Sequence, residues 1–370
     1  MTLLFDVQHR AGSFNLDAKF TAGNGLTALF GRSGSGKTTI VNIIAGLIGP
    51  DQGRVVVDGL TLFDSKRGVF LPAHRRRVGY VFQDARLFPH LTVKQNLLYG
   101  RWFSPQPSGP DEFDRVTELL ALSKLLERSP GRLSGGETRR VAIGRALLSG
   151  PRVLLMDEPF ASLDDTRKQE ILPYLERLRD SGRVPIVYVT HAVAEVVRLA
   201  STIVVISDGR VVGSGTASEV MQRIDLFPVM GAAEAGALVE ATVASHDERF
   251  DLTVLSSKAG LWRVPRLNSP PGRQVRIRVR AIDVMLAVTE PSGVSALNVF
   301  RAAITVLGAP NGPSIDVQLD CSGDVINARV TRLSAERLCL QAGKKVFALI
   351  KSVAIDPQTF NRGERQPSSG

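Results

Sequence analysis

The sequence predicts an α/β domain carrying a helical insertion, followed by small all-β, barrel-like modules. Three observations carry this: short apolar runs alternating with helical patterns from Leu26 to about Ser207, a mostly helical stretch from about Pro89 to Leu148, and a change of style after about Gly231. The runs GLTALF, RVLLMDE, PIVYVT and STIVVIS are apolar almost throughout. Strands of that kind are buried on both faces, as in a parallel sheet covered by helices.

Within the helical stretch, Phe113, Val116, Leu119, Leu120 and Leu126 make one apolar face, and the Pro- and Gly-rich SPQPSGP reads as a loop before it. Asp208-Gly209 between two Val/Ile-rich runs is a hairpin signal that closes the α/β region. Beyond it, VEATVA, QVRIRVRA, IDVQLD, INARVT and KVFALIKSVAI alternate like antiparallel strands. The boundaries expected are 1–230 for the α/β domain with its helical part at about 89–148, 231–290 for a linker and first β-module, 291–358 for a second β-module, and 359–370 for a disordered tail. RVRAIDVMLAV and FALIKSVAI are similar in pattern, a weak sign of duplication between about 238–290 and 295–356.

Composition excludes several classes. A chain of 370 residues, 44% hydrophobic and 22% charged, is a globular protein of two or more domains. It has no apolar run of about 18 residues, the length of a membrane span. Its N-terminus, MTLLFDVQHR, lacks a signal-peptide pattern, so a cytoplasmic location is expected. Cys321 and Cys339 form no CxxC pair, and the five histidines form no cluster at metal-ligand spacing. The net charge of +10 is spread along the chain, with HRRR at His74 to Arg77 as its densest group and no interleaved aromatics. That pattern reads as solvated basic surface, able to face anionic lipid, rather than a nucleic-acid groove.

Four segments carry chemistry. GRSGSGKTT, from Gly31 to Thr39, follows a strand and opens a helix, as the G-x-x-x-x-G-K-[ST] pattern requires. Gly31, Arg32, Ser33, Gly34, Ser35 and Gly36 wrap main-chain N–H groups around a polyphosphate, Lys37 reaches its β- and γ-phosphates, and Thr38, followed by Thr39, offers a hydroxyl to Mg²⁺. VLLMDEP ends a buried strand in two carboxylates, Asp157 for the metal and Glu158 as base. His191 follows PIVYVT, at the sheet edge where ligand contacts gather. The fourth, RLSGGETRR, pairs Ser134 with Glu137 at capping-box spacing yet places Gly135 and Gly136 in the helix's first turn, where they lower helix propensity.

Taken together, the motifs resemble the nucleotide-binding subunits of ABC transporters. The P-loop corresponds to Gly31–Thr38, the Q-loop to Gln83 in YVFQDARLFPH, the signature to LSGGE at Leu133–Glu137, the second acidic motif to Asp157 and Glu158, the D-loop to SLD at 162–164, and the switch histidine to His191, all in the family's order over about residues 1–230. The resemblance implies a P-loop ATPase core using ATP and Mg²⁺, with Glu158, His191 and Gln83 as catalytic residues and Thr38, Gln83 and Asp157 around the metal. It also implies a head-to-tail homodimer in which Ser134, Gly135 and Gly136 of one copy cap the ATP held by the other. Glycine permits the close approach and leaves helix N–H groups facing an anion. The aromatic that stacks on adenine in the family has no clear match; Phe14 is a candidate that also reads as core packing.

The segments GYVFQDARLFPHLTV and VAIGRALLSGPRVLLMDEPFASLD resemble oxyanion importers. SALNVFRAAI from Ser295 and RVTRLSAERLCLQAGKKVFALIKSVAI from Arg329 resemble the β-module of molybdate-import ATPases. The implied reading is a molybdate-transporting translocase, peripheral on the cytoplasmic face of the inner membrane, with permease subunits as partners, an external molybdate-binding protein acting indirectly, and no nucleic acid. Ser295, Lys351 and Ser352 are then the oxyanion contacts, although Leu297 stands where that module often has Arg, which leaves a dimerising or regulatory module as the alternative. Sulfate, sugar or polyamine import are the nearer alternatives for function, and a soluble ABC ATPase without a permease the more distant one.

Overall fold

The computed structural model describes residues 2–102, 110–161, 163–231, 235–352 and 356–359. Most of the SPQPSGP loop, Ser162 and the tail from residue 360 lie outside the described residues. The chain divides into two compact units, Met1–Ser214 and Gly215–Gly370.

The first unit begins with β1 (Leu3–Ala11), β2 (Phe14–Ala22), β3 (Leu26–Phe30), α1 (Lys37–Ala45), β4 (Gln52–Val57), β5 (Leu60–Asp64), β6 (Val69–Phe70) and β7 (Val78–Val81). It continues through α2 (Val93–Trp102), α3 (Pro110–Leu119), α4 (Gly135–Leu148), β8 (Val153–Asp157), α5 (Asp165–Asp180), β9 (Ile186–Thr190), α6 (Val193–Leu199), β10 (Thr202–Ser207) and β11 (Arg210–Thr216). Its sheet has eleven strands in the order β6-β5-β4-β1-β2-β11-β10-β3-β9-β8-β7. The run from β10 to β7 is parallel, whereas β1, β2, β4, β5 and β6 pair antiparallel.

The four apolar runs, β3, β8, β9 and β10, pair parallel as expected, and β1, β2 and β4 to β6 add an antiparallel part that the sequence reading did not describe. The physical difference is in the burial pattern. Every residue of β3, β8 and β9 is buried, but β2 alternates buried and exposed positions, as a strand with one solvated face does. Between Val93 and Leu148 the described helices pack on one another, and the apolar face ends differently from expectation. Val116 and Leu120 are buried; Ala121 then turns the chain with φ +49°, so that Leu122 and Leu125 rather than Leu126 complete it. At the hairpin between β10 and β11, Asp208 and Gly209 have φ of +48° and +75°, the two positive values that a type I′ turn needs.

HRRR is not simply solvated surface. Arg76 is fully buried, and its guanidinium donates to Ile43 O (2.7 Å) and Ile44 O (3.1 Å) at the end of α1 and to Leu71 O (2.6 Å). A cation at a helix C-terminus satisfies orphan carbonyls and complements the dipole, which outweighs the loss of hydration. Burial lowers the Arg76 pKa to about 10, leaving it charged at neutral pH. Arg77 likewise donates to Gly150 O (2.9 Å), just past α4.

The second unit contains α7 (Ala217–Gln222), α8 (Phe227–Met230), β12 (Gly236–Asp247), β13 (Leu252–Ser257), β14 (Gly260–Pro265), β15 (Gln274–Arg280), β16 (Val284–Ala287), β17 (Asn298–Leu307), β18 (Ser314–Cys321), β19 (Asp324–Thr331), α9 (Arg332–Arg337), β20 (Lys345–Ile350) and β21 (Asp356–Thr359). They form two five-stranded sheets, β14-β13-β12-β15-β21 and β16-β20-β17-β18-β19. The sheets do not follow the expected break near residue 290, because β16 joins the later strands through β20 and β21 returns to pair with β15. One apolar core, including Trp262, Ile277, Phe300, Leu319 and Ile350, is shared by both sheets.

Replacing Arg76 with Met should destabilise the protein by about 3 kcal/mol, since three buried carbonyls lose a charged donor. Urea unfolding of the two proteins checks this; equal midpoints would contradict it.

Candidate nucleotide site

The C-terminal edge of the parallel strands is where the motif residues meet. Between β3 and α1 the loop folds back on its own lysine: Lys37 Nζ donates to Gly31 O (2.8 Å) and Arg32 O (2.7 Å) and lies 3.5 Å from Ser35 Oγ. The loop's backbone requires glycine, because Gly34 and Gly36 have φ of +80° and +103°. The first intrahelical bond of α1 runs from Ile40 N to Gly36 O, so the N–H groups of Lys37, Thr38 and Thr39 have no intrahelical acceptor. Such a row of N–H groups at a helix N-terminus suits an anion.

Register brings the acids to this loop. Asp157 ends β8 opposite Val189 of β9, and the Glu158 N–H donates to Val189 O (3.0 Å). Asp157 is buried; Thr38 donates to its Oδ1 at 3.1 Å and Tyr80 to its Oδ2 at 3.3 Å. Burial raises the Asp157 pKa, and Glu158 adds to the rise; the Thr38 and Tyr80 bonds and Lys37 oppose it. Burial lowers the Lys37 pKa against the pull of Glu158 and Asp157. Glu158 turns out of the strand with φ +43°, and its Oε1 lies 3.2 Å from His191 Nδ1. Positive φ on a non-glycine residue is uncommon and aims this carboxylate where a straight strand would not.

A cleft of about 420 Å³ opens here, lined by Phe14, Ser33, Gly34, Lys37, Thr38 and Glu158 among others. Phe14 is half-buried and packs beside Gly36, where an added Cβ would lie 2.7 Å from its ring. It therefore serves the core and the cleft wall together. Gln83 is exposed two residues past β7, whose Val81 registers with Met156, so it shares this sheet edge with Glu158.

The signature lies elsewhere: among the described residues lining the cleft, none comes from Leu133–Glu137. Its capping box is complete, with Ser134 Oγ accepting from Glu137 N (3.2 Å) and Glu137 Oε2 accepting from Ser134 N (2.7 Å). The two N–H groups between them belong to Gly135 and Gly136, the pair that the capping box leaves for another acceptor. A side chain at Gly135 would press on Leu163 (3.1 Å) and Arg167 (3.2 Å), so close packing beside α5 is a second use of glycine there.

Two groups of residues escaped sequence reading. Tyr80 holds Asp157 and Asn42, and buried Glu195 accepts from Tyr188 and Thr190, both at 2.7 Å, just before His191. Their partners are distant in sequence or hidden inside apolar runs, so no spacing announced them. In the second unit, Ser295 and Lys351 line a cleft of about 530 Å³ with Asp283 and Met285, but Ser352 is buried and takes a hydrogen bond from Asn298 Nδ2 (3.3 Å). The structure thus brings two of the three proposed oxyanion residues together, and Leu297 beside them is exposed.

Fold and cleft define a P-loop nucleotide-binding ATPase. The ABC transporter family model matches residues 15–161 and the TOBE domain model residues 294–357. The chain is 57% identical over 358 residues to the molybdenum import ATP-binding protein ModC of Rhizobium meliloti (strain 1021), covering 96% of this chain and all of that one. It is 53% identical to the protein of that name from Mesorhizobium japonicum (98% of each chain) and 45% identical to that from Paramagnetospirillum magneticum (95% and 96%). A solved dimeric, ADP- and phosphate-bound ATP-binding cassette superposes on 59% of this chain and 99% of its own, at 27% identity and a TM-score of 0.48. The chain belongs to the ABC transporter family, in the group whose curated members are named molybdenum import ATP-binding proteins. It is accordingly an ATP-binding subunit with ATPase activity.

The raised Asp157 pKa has a consequence for stability. A carboxyl whose folded pKa exceeds its unfolded value stabilises the fold fully below the unfolded pKa and loses that contribution as pH rises through the folded one. At pH 7, Asp157→Asn should therefore make the nucleotide-free protein more stable than wild type, and the gap should close as pH falls below about 4, the ordinary aspartate range. A gap that widens on acidification would contradict it; denaturant midpoints across pH decide.

Proposed function

We propose that this chain is the ATPase of a molybdate importer, driving uptake through a membrane permease. The observation that carries the reading is full-length identity of 57% to a molybdenum import ATP-binding protein, extending through the TOBE segment as well as the cassette. No helix of the described residues is long and apolar enough to cross a membrane, which agrees with a peripheral subunit held at the cytoplasmic face by its permease. The Gln83 segment and the helices from Val93 to Leu148 are the docking surface in this reading.

The cassette works as a head-to-tail homodimer in this proposal. Support comes from the separation of its two phosphate-binding features: the P-loop cleft contains no signature residue of its own chain, while the Gly135 and Gly136 N–H groups remain for a second molecule's nucleotide. A hydroxyl and a buried carboxylate, Thr38 and Asp157, suit a hard divalent cation such as Mg²⁺, with Gln83 as the third contact. Bound there, the ion would neutralise phosphate charge. Glu158 orients and deprotonates the attacking water, and His191, in reach of Glu158, holds that carboxylate and the γ-phosphate in position.

Glu158→Gln should bind ATP, lower turnover by at least about 100-fold and accumulate a closed dimer, whereas Lys37→Ala should lose nucleotide affinity. Wild-type turnover in Glu158→Gln would overturn the base assignment. Uptake by membrane vesicles containing the permease, tested with molybdate, tungstate and sulfate, decides the substrate; uptake of sulfate alone would overturn it.

Ser295 and Lys351 form the core of an oxyanion site in this reading, with Ser352 nearby in sequence but turned inward. A cation and hydroxyl donors match a tetrahedral dianion. Because both sheets share one core, the full chain is the proper material for testing it. Calorimetry should show molybdate binding that is weakened by at least about tenfold in Lys351→Ala. Absence of binding to the wild-type chain leaves the module a dimerising element.

A further inference from the structure

The helix that begins with the signature is bound to the segment that carries Gln83 at two points. Near its start, Arg139 is buried, and its Nη1 donates to Phe82 O at 2.9 Å, the carbonyl immediately before Gln83. Two turns on, Arg145 donates to Arg86 O (2.8 Å) and Ala85 O (3.1 Å) and lies over the Phe88 ring, 5.3 Å from its centroid. A separate anchor comes from α2, where fully buried Asn96 accepts from Phe88 N and donates to Phe88 O. Gln83 and Asp84 are therefore an exposed pair suspended between two guanidinium contacts from α4.

Burial lowers the Arg139 pKa, with Asp84 and Tyr188 acting in the opposite direction. The guanidinium thus sits within electrostatic reach of the Gln83 segment and of β9, whose buried Tyr188 and Thr190 fix Glu195 next to His191. A buried guanidinium bonded to a main-chain carbonyl holds its partner segment more firmly than a mobile surface ion pair does.

We propose that Arg139, with Arg145 at the second anchor, is a positioning residue for ATP turnover: it ties the signature helix to the Gln83 segment, so that nucleotide at a chain's own P-loop sets the orientation of the signature it offers to the second copy. The inference rests on the head-to-tail reading above. Neither side chain touches the nucleotide cleft; each acts through main-chain carbonyls at the edge of the Gln83 segment. Coupling of this kind requires one element with two orientations that both sites bias, and α4 is that element.

Full-length wild type, Arg139→Gln, Arg139→Lys, Arg145→Gln and Arg140→Gln test it. Arg140 is the control, because it donates from the same helix to Leu120 O and Ala121 O, away from Gln83. Arg139→Gln and Arg145→Gln should keep fluorescent-nucleotide affinity within about twofold while kcat falls at least about tenfold, with Arg139→Lys between them and wild type. In a Glu158→Gln background, Arg139→Gln should require at least about tenfold more ATP to drive dimerisation, and Arg140→Gln should leave kcat within about twofold. Turnover near wild type in Arg139→Gln, or a loss of nucleotide affinity as large as the loss of kcat, overturns the proposal. Should Arg139→Gln fail to fold, Arg145→Gln decides by the same criteria. A wild-type chain that binds ATP without turnover or ATP-driven dimerisation overturns the head-to-tail reading instead, which separates the two failures.

Discussion

Lys37 is an ammonium taken out of water and returned to polar contact by the carbonyls of its own loop, and the architecture of the first unit follows from keeping that charge tolerable. Two carbonyl bonds alone leave a buried cation poorly compensated. Asp157 and Glu158 supply the opposite charge. They can do so because β9 lies between β3 and β8, and all three strands end on the same edge. Parallel pairing is therefore a condition of the electrostatics: an antiparallel β8 would carry its acids to the far end of the sheet. The antiparallel strands β1, β2 and β4 to β6 extend the sheet on the side where one face is solvated.

Arginine binds this unit together in an unexpected way. Arg76, Arg77, Arg139, Arg140, Arg145 and Arg179 all donate to main-chain carbonyls. Several of those carbonyls close helices or lead out of strands, where backbone acceptors would otherwise go without partners. Part of the net charge of +10 is consequently internal scaffolding rather than surface. The same chemistry ties α4 to the segment after β7 that carries Gln83.

The second unit is held by a different principle. Its two sheets exchange strands, β16 leaving for the later set and β21 coming back, and their inner faces bury Trp262 against Phe300 with ring centroids 4.3 Å apart. Small sheets bury too little surface alone to offset chain entropy, and packing their inner faces on one another buries both. Asn327 and Gln318 also donate to Gln222 O, fastening α7 to this unit, which is why its boundary falls at Gly215 and not near residue 230.

Much of the chemistry was local and therefore readable in sequence. GRSGSGKTT has its glycines where positive φ or close approach is required, and Ser134 and Glu137 have a spacing that already determines their reciprocal bonds. Apolar runs ending in Asp157 or preceding His191 announced buried strands, because full burial leaves a continuous rather than alternating pattern. Contacts between residues far apart in the chain could not be read this way. Arg76 looks like its neighbours in HRRR until the end of α1 arrives beside it, and Tyr80 and Arg139 acquire roles only when tertiary packing brings Asp157 and Phe82 within hydrogen-bond distance. The sequence by itself determined which backbone can wrap a phosphate and which helix exposes N–H groups at its start, since those depend on φ and on spacing of a few residues. Only the tertiary structure decided which buried charges are neutralised by which carbonyls and where β16 and β21 pair, because strand order and long-range packing are set by the whole core at once.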